Sequence, residues 1–345
     1  MAGTETAVVR LSEMTDGLEA VCFALLVKKV RSTTKRGDPY VKCYFRDKRV
    51  TLEAPFWHDN RFHNQAGQWA EGIAYRLRAR CEQTPKYGLQ LQIFEIRPAT
   101  DEDGPEGYDF FDLVETSRYE IEVLFQSIKN RIKKYITDPC LRRLVEDMLE
   151  EHGPLFKKMP AAQSFHHSFT AGLLEHVWSM TKVAGFLADH YAEYYEGLVP
   201  PLNKGVIVAA AVLHDIGKLK ELTYHPAEAK YTKAGKLIGH VQMGRDMVRE
   251  AARKIEGFPE ETLLLLEHAI LSHHGKLEFG AAVLPLTLEA LLVSFVDDLD
   301  AKMNMAARQC LNSTTDDEFT DKVFALDNRR FYKGLPADEE APDLP

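Results

Sequence analysis

The stretch Val206–Asp215, VIVAAAVLHD, decides how this chain is read. Its apolar run, Val206–Leu213, predicts a helix buried on nearly every side, and the run closes on His214 and Asp215. Two adjacent ionisable groups at that place are costly to bury unless something neutralises or coordinates them. An imidazole nitrogen beside a carboxylate oxygen suits a divalent transition ion such as Mn, Fe, Ni or Zn. Further candidate ligands stand on either side: His176 upstream, and His240, His273, His274 and Asp297 downstream. Ten of the 13 histidines lie between His166 and His274. That concentration points to a metal site.

A chain of 345 residues is long for one core, so two domains with connectors are expected. No apolar stretch approaches the length needed to span a bilayer, and the opening MAGTETAVVR lacks the basic and apolar regions of a signal peptide. The 5 cysteines (22, 43, 81, 140 and 310) are odd in number, scattered and never in a CxxC pair. They argue against a disulfide framework and a thiolate metal site, and the expected compartment is the cytoplasm. The net charge of −9 hides an asymmetry: residues 1–100 carry 16 Lys/Arg against 11 Asp/Glu, the remainder 27 against 41. A basic module ahead of an acidic one is expected to meet a polyanion.

From Leu18 to Arg97 the pattern is of short strands: Val21–Val30, Tyr40–Phe45, Lys48–Leu52, Tyr75–Cys81 and Leu89–Ile93. The clearest places Tyr75, Leu77, Ala79 and Cys81 on one side and Arg76, Arg78 and Arg80 on the other. A small barrel or sandwich over residues 1–100 follows. Residues 101–158 read as an acidic linker (DEDGPEGY, 101–108) and connecting helices, one striped by Ile121, Leu124, Ile128, Ile132 and Ile136, the next over Leu141–Glu151 ahead of Gly153-Pro154. Residues 159–312 read as an all-helical domain and 313–345 as an extension ending in a disordered acidic tail, PADEEAPDLP. The fold class is α+β: a small N-terminal β-barrel, then an all-α domain.

His176, in LLEHVWSM, would alone be an ordinary hydrogen-bonded core histidine; His214-Asp215 gives it partners of the right chemistry. Within HDIGK, Lys218 lies four residues after His214, so a continuing helix puts both on one face and aims Lys218 at the metal edge, where it could hold a phosphate. The plainer alternative is a solvated lysine at a helix end. Asp297 shares a face with Ala290 and Val293 and is the chosen ligand. Asp298 has Lys302 four residues on, an exposed ion pair, and Asp300 is a candidate to support a ligand. His240, His273 and His274 could bind a second ion. Two ions about 4 Å apart, with Asp215 between them, would clamp the attacking and leaving oxygens of a phosphoester displacement. Alternatively these histidines bind substrate phosphate or bond within the core. His166, His167 and His268 are read as structural or supporting.

The string of His176, His214-Asp215 and Asp297 resembles that of the HD-domain metal-dependent phosphohydrolases. The stretches PAAQSFHHSFTAGLLEH, AVLHDIGKLKEL, YTKAGKLIGH, ILSHHG and VDDLDAKM, in that order, resemble the YhaM-like 3′–5′ exoribonucleases, bacterial enzymes with an OB-type domain ahead of the HD domain. The likeness covers roughly residues 18–310. It implies a metal, Mn foremost with Fe, Ni, Zn or Mg as alternatives, held by His176, His214, Asp215 and Asp297, and a second site completed by His240, His273 and His274. Ala171 stands where the family's GGLLEH string has glycine.

In the N-terminal module Arg76, Arg78 and Arg80 form a row spaced about 7 Å apart by strand geometry. Arg31, Lys35 and Arg36 lie near the first turn, and Tyr40, Tyr44 and Trp57 offer stacking surfaces. Basic grooves with aromatic platforms are how OB-folds hold single-stranded nucleic acid; the plainer alternative is a solvated outer face with aromatics in the core. The expected protein is a phosphodiesterase whose OB-like barrel captures single-stranded RNA, or DNA. Its HD domain, with Asp215 and Lys218 in catalytic roles, shortens the 3′ end to nucleoside 5′-monophosphates. The alternatives are a phosphohydrolase of a nucleotide or cyclic dinucleotide, and a non-catalytic RNA-binding protein. The chain reads GKL after His273-His274 instead of GYP, which weighs against the cyclic-dinucleotide branch.

Overall fold

The computed structural model describes residues 7–34, 37–85, 88–161, 169–224, 229–313 and 317–334. Lys35, Arg36, His166, His167 and the acidic tail fall outside these. The chain forms two compact units, Met1–Thr116 with Tyr224–Lys230, and Ser117–Thr223 with Tyr231–Pro345. No described helix is long and apolar enough to cross a membrane.

The first unit is a closed barrel of β1 (Glu19–Thr33), β2 (Pro39–Arg46), β3 (Thr51–Trp57), β4 (Ala74–Thr84) and β5 (Gly88–Pro98), in the order β1-β2-β3-β5-β4. Its pairs are antiparallel except β3 with β5, which close the barrel in parallel at Glu53 and Gln90. A short helix, α1 (His63–Ala66), lies between β3 and β4. The period-2 reading of β4 holds: Tyr75, Leu77, Ala79 and Cys81 are buried with Phe45, Phe56 and Leu91, and the arginines point outward. Each such buried aliphatic or aromatic side chain contributes roughly 1.5–3 kcal/mol.

Two sequence expectations are corrected here. The strand expected at Lys48–Leu52 begins later and runs to Trp57, because the Asp47 carboxylate accepts the N–H groups of Arg49 and Val50 (both 2.8 Å) and makes a turn of those residues. The acidic stretch after residue 100 is not a free linker. Tyr108 packs on Phe23 (ring centroids 5.2 Å), and Leu113 and Val114 are buried with Leu25 and Ala74, so the barrel unit extends to Thr116.

The second unit is helical: α2 (Ile121–Tyr135), α3 (Pro139–Phe156), α4 (Gly172–Tyr194), α5 (Lys204–Leu213), α6 (Lys218–Glu221), α7 (Lys233–Ile238), α8 (His240–Ala252), α9 (Glu260–Ser272) and α10 (Leu288–Asn312). The expected connecting helices, α2 and α3, belong to this core through Leu124, Ile128, Ile132, Leu141 and Leu144. Helix α3 runs past the expected stop at Gly153-Pro154 to Phe156, with Pro154 forgoing its own N–H bond in the last turn. The apolar run Val206–Leu213 forms α5, all of it buried, with α2, α3, α4, α9 and α10 packed around it. Asn203 caps α5 by accepting from the N–H of Val206 (3.0 Å). Ala171, at the entry to α4, has φ +64° and ψ +14° and is fully buried. Left-handed backbone favours glycine, so alanine carries about 1–2 kcal/mol of strain at this position.

Candidate metal centre

The turn after α5 sets the site. Helix α5 stops at Leu213, residues 214–217 form a turn, and α6 starts at Lys218. Helix α8 comes so close here that a Cβ on Gly217 would lie 2.0 Å from the carbonyl oxygen of His240. Glycine is required for room, not for a positive φ. His240 opens α8, His273 and His274 follow α9, His176 comes from α4, and Asp297 and Asp300 come from α10.

Asp215, at 2% exposure, lies between two groups of histidines. Its Oδ2 stands 3.3 Å from His214 Nε2 and 3.9 Å from His176 Nε2. Its Oδ1 stands 3.4 Å from His240 Nε2 and 3.8 Å from His273 Nε2. Asp297 Oδ1 is 3.2 Å from His176 Nε2 and 3.8 Å from His214 Nε2. The ring of His274 lies 4.1 Å from that of His273 and 5.2 Å from that of His240. The structure thus brings together all seven residues singled out as ligands.

The other ring nitrogens explain why Nε2 points inward. Nδ1 of His214 meets the carbonyl of Ala211 at 3.1 Å, and Nδ1 of His273 that of Ile270 at 2.6 Å. Nδ1 of His176 meets Asp300 Oδ2 at 2.7 Å, and Nδ1 of His240 meets Glu221 Oε1 at 3.1 Å. Facing these acceptors, each Nδ1 takes the proton in the neutral ring and leaves a lone pair on Nε2. Asp215 Oδ1, His240 Nε2, His273 Nε2 and His274 Nδ1 are all buried without a hydrogen-bond partner. Orphaned polar atoms cost free energy when buried, and four converging lone-pair donors are what a divalent cation satisfies. The donor set fits such an ion.

Charge follows the same division. Burial opposes the charge on His176, but its bonds to Asp297 and Asp300 outweigh it and raise its pKa to about 10, so without an ion its Nε2 carries a proton toward Asp297, and an ion held there would have to displace that proton. Burial likewise opposes the Asp215 carboxylate, yet Lys218, His214 and His240 hold it well below the usual carboxylate range. Burial and neighbouring imidazoles push His273 and His274 down and keep them neutral, as ligands must be.

Lys218 does not take the plainer of its two readings. It is buried rather than solvated, and its Nζ donates to Asp215 Oδ2 at 2.6 Å. Because the helix is interrupted at 214–217, its partner is the aspartate three residues back, and one of its donors is already committed. Asp298 accepts from Lys302 at 2.7 Å at the surface. His268 Nε2 accepts the Leu286 N–H at 2.8 Å and so ties down the segment after His274.

Sequence reasoning missed Glu221. Its Oε1 accepts the backbone N–H of His240 at 3.0 Å as well as facing Nδ1, so one carboxylate sets both the start of α8 and the ring. The available signal was a lone acidic residue in the short segment KLKEL directly after HDIG. Asp300 does for His176 what Glu221 does for His240, and is itself held by the Ser179 hydroxyl. Substitution Asp300→Asn or Glu221→Gln should lower the affinity for Mn by about 10–100-fold while leaving the helical content unchanged. Calorimetric Mn titration beside circular dichroism checks this, and unchanged affinity in both variants would remove them from the site.

On the barrel, Arg76 pairs with Glu106, Arg78 with Glu19 and Glu95, and Arg80 with Glu19 at 3.3 Å. The arginine row exists but is matched by carboxylates on β1, on β5 and in the segment after β5, which its one-strand pattern did not reveal. Arg31 is exposed, with its guanidinium over Gly67. The outward face of β2 and β3 carries Tyr40 against Trp57 (centroids 4.8 Å, planes at 35°), Lys42 and Tyr44. Trp57 is 44% exposed.

A family model described as the HD domain matches residues 173–302, the stretch holding all seven clustered residues. With that cluster it makes the chain a metal-dependent hydrolase of the HD class. The 3′–5′ exoribonuclease YhaM of Bacillus subtilis (strain 168) is 31% identical over 316 residues, 90% of this chain and 93% of that protein. The chain belongs to the YhaM family of HD-domain proteins. Among solved structures, the second OB-fold domain of replication protein A from Methanococcus maripaludis is 16% identical over 27% of this chain and 96% of that one, with a TM-score of 0.22. An OB domain from Thermoplasma acidophilum is 12% identical over 28% and 89%, with a TM-score of 0.21.

Proposed function

We propose that the protein is a 3′–5′ exonuclease of single-stranded RNA that releases nucleoside 5′-monophosphates at a centre for two divalent ions, Mn foremost. The observation that carries the reading is Asp215, whose two oxygens face two separate histidine groups. His176, His214, Asp215 and Asp297 would hold one ion, and His240, His273, His274 and the other oxygen of Asp215 the second. When bound, such ions supply Lewis acidity and a template for the attacking and leaving oxygens of a phosphodiester. The chain's own contribution is positional. Asp300, Glu221 and the carbonyls of Ala211 and Ile270 fix the rings, and Lys218 balances the buried charge of Asp215 and keeps donors for a phosphate oxygen.

The relative is named an exoribonuclease, and a polymer substrate also accords with the barrel. Because its arginine row is offset by Glu19, Glu95 and Glu106, and Lys42 by Glu53 at 2.9 Å, capture is assigned chiefly to Tyr40 and Trp57 as stacking surfaces for bases. Arg31 would add charge at the barrel edge. Trp57→Ala should weaken RNA binding by about 1–3 kcal/mol, and the triple replacement of Arg76, Arg78 and Arg80 should change it less. Filter binding across a salt series decides between the two faces.

The reading as a whole is tested on 5′-labelled single-stranded RNA, matched DNA and a panel of nucleotides, each with Mn and then with chelator. A Mn-dependent ladder shortening from the 3′ end supports it. Hydrolysis of nucleotides alone, or retention of RNA without cleavage, would replace it with a small-substrate phosphohydrolase or a binding protein.

A further inference from the structure

Helix α10 is apolar on the side where a surface helix should be polar. Its inner side carries Ala290, Val293 and Val296, with Asp297 and Asp300 beside them at the histidine cluster. The opposite side carries Leu288, Leu291, Phe295, Leu299 and Met303, spaced three and four residues apart. Phe295 is 65%, Leu299 52% and Met303 59% exposed. By helix rise the row is about 22 Å long. Against its first half lies an apolar groove of about 360 Å³, whose other wall is Leu187, Tyr191, Tyr195, Leu198 and Leu202. A soluble chain rarely leaves such a surface to water.

The chemistry of the face selects its occupant. Residues interleaved with the lining ones are acidic, Glu193, Glu196 and Glu289, and the chain carries a net charge of −9. Nucleic acid and anionic membranes both need Lys and Arg there. With exposures near one half, the α10 row, Tyr191 and Tyr195 present roughly 700 Å² of side chain, close to the roughly 800 Å² one partner gives a standard interface. The surface also complements itself: a convex row continues beyond a concave groove on the same chain. If two copies of α10 cross antiparallel about a two-fold axis at Phe295, Leu299 of each meets Leu291 of the other. Met303 then meets Leu288, so the free end of each row fills the groove of its partner.

We propose that this face joins two copies of the chain through antiparallel packing of α10. The contact would lie on the back of the helix that carries Asp297 and Asp300, so association would also steady those two carboxylates. The proposal is independent of which substrate the centre takes.

Sedimentation velocity of the full chain at micromolar concentration tests it. The wild type should sediment at twice the 39.2 kDa chain mass or an even multiple of it, and Phe295→Asp with Leu299→Glu should at least halve that mass. Both positions are exposed, and circular dichroism establishes that the double variant is folded. Should it not fold, Phe295→Cys serves instead: mild oxidation should give a covalent dimer on a denaturing gel, in excess of that from the wild type and from Val123→Cys. A wild type that sediments as a monomer overturns the proposal and leaves the face to a different partner. So does a folded double variant that sediments like the wild type, or a Phe295→Cys chain that cross-links no better than the controls.

Discussion

Replacing Asp215 by Asn is expected to reduce kcat/KM for RNA cleavage by at least about 10³-fold while leaving RNA retention within about threefold of wild type. Removing a single preorganised charge-stabilising group typically costs about 10²–10³ in rate. The two oxygens of Asp215 face different histidine groups, so its loss disturbs both at once. The amide keeps the volume and leaves an acceptor for Lys218, which limits the structural damage. Asp215→Ala would instead strand a buried ammonium, and the loss of one partner of a buried pair costs about 3–5 kcal/mol. The asparagine variant should therefore be inactive yet thermally stable, and the alanine variant inactive and less stable. Metal content by elemental analysis should fall in both. Cleavage by Asp215→Asn at more than a tenth of the wild-type rate would remove the residue from the centre. Loss of RNA retention together with cleavage would mean that the barrel does not capture RNA independently.

The second large effect is expected at a residue with no functional group. A Cβ on Gly217 would stand 2.0 Å from His240 O and 2.6 Å from Gly244 N, and both obstacles are backbone of α8. Gly217→Ala must therefore push α8 away or distort the turn after Asp215. Overpacking of this kind costs about 1–3 kcal/mol, which for a unit of this size lowers Tm by roughly 3–10 °C. His240 opens α8, so the same movement lengthens its 3.4 Å approach to Asp215. A displacement of about 1 Å can cost on the order of 10²-fold in rate. Gly217→Ala should thus lose ion binding at the His240 side before it loses the fold. Gly197→Ala, where nothing lies within 4 Å, should change neither property. Differential scanning calorimetry with Mn titration reads both effects. A Gly217→Ala chain with wild-type Tm and metal content would contradict the close approach.

The sequence showed its strongest elements wherever one physical signal acted alone. The run Val206–Leu213 read as a buried helix, and the alternation of Tyr75–Cys81 as a half-buried strand. Asp297 was distinguished from Asp298 by helical phase alone, because Ala290 and Val293 mark the inner face and Lys302 the outer. Boundaries were less legible where a side chain competed with the backbone, as Asp47 does after β2, or where a helix ran on through a proline, as in α3.

Residue type and spacing pointed to the candidate ligands, and the resemblance completed the set. What supports or offsets them was not indicated. Glu221 reaches His240, Asp300 reaches His176, and Glu19, Glu95 and Glu106 neutralise the arginines of β4, all across distances in sequence that carry no periodic signal. Lys218 was placed on the correct helix edge, yet its partner depended on the turn that α8 imposes through Gly217. By itself the sequence determined a barrel, a helical domain and a set of candidate ligands, because these follow from local periodicity, side-chain chemistry and the resemblance of the motifs. Only the tertiary structure decided how those ligands divide about Asp215 and which charges remain unpaired, because both depend on contacts that close between distant segments.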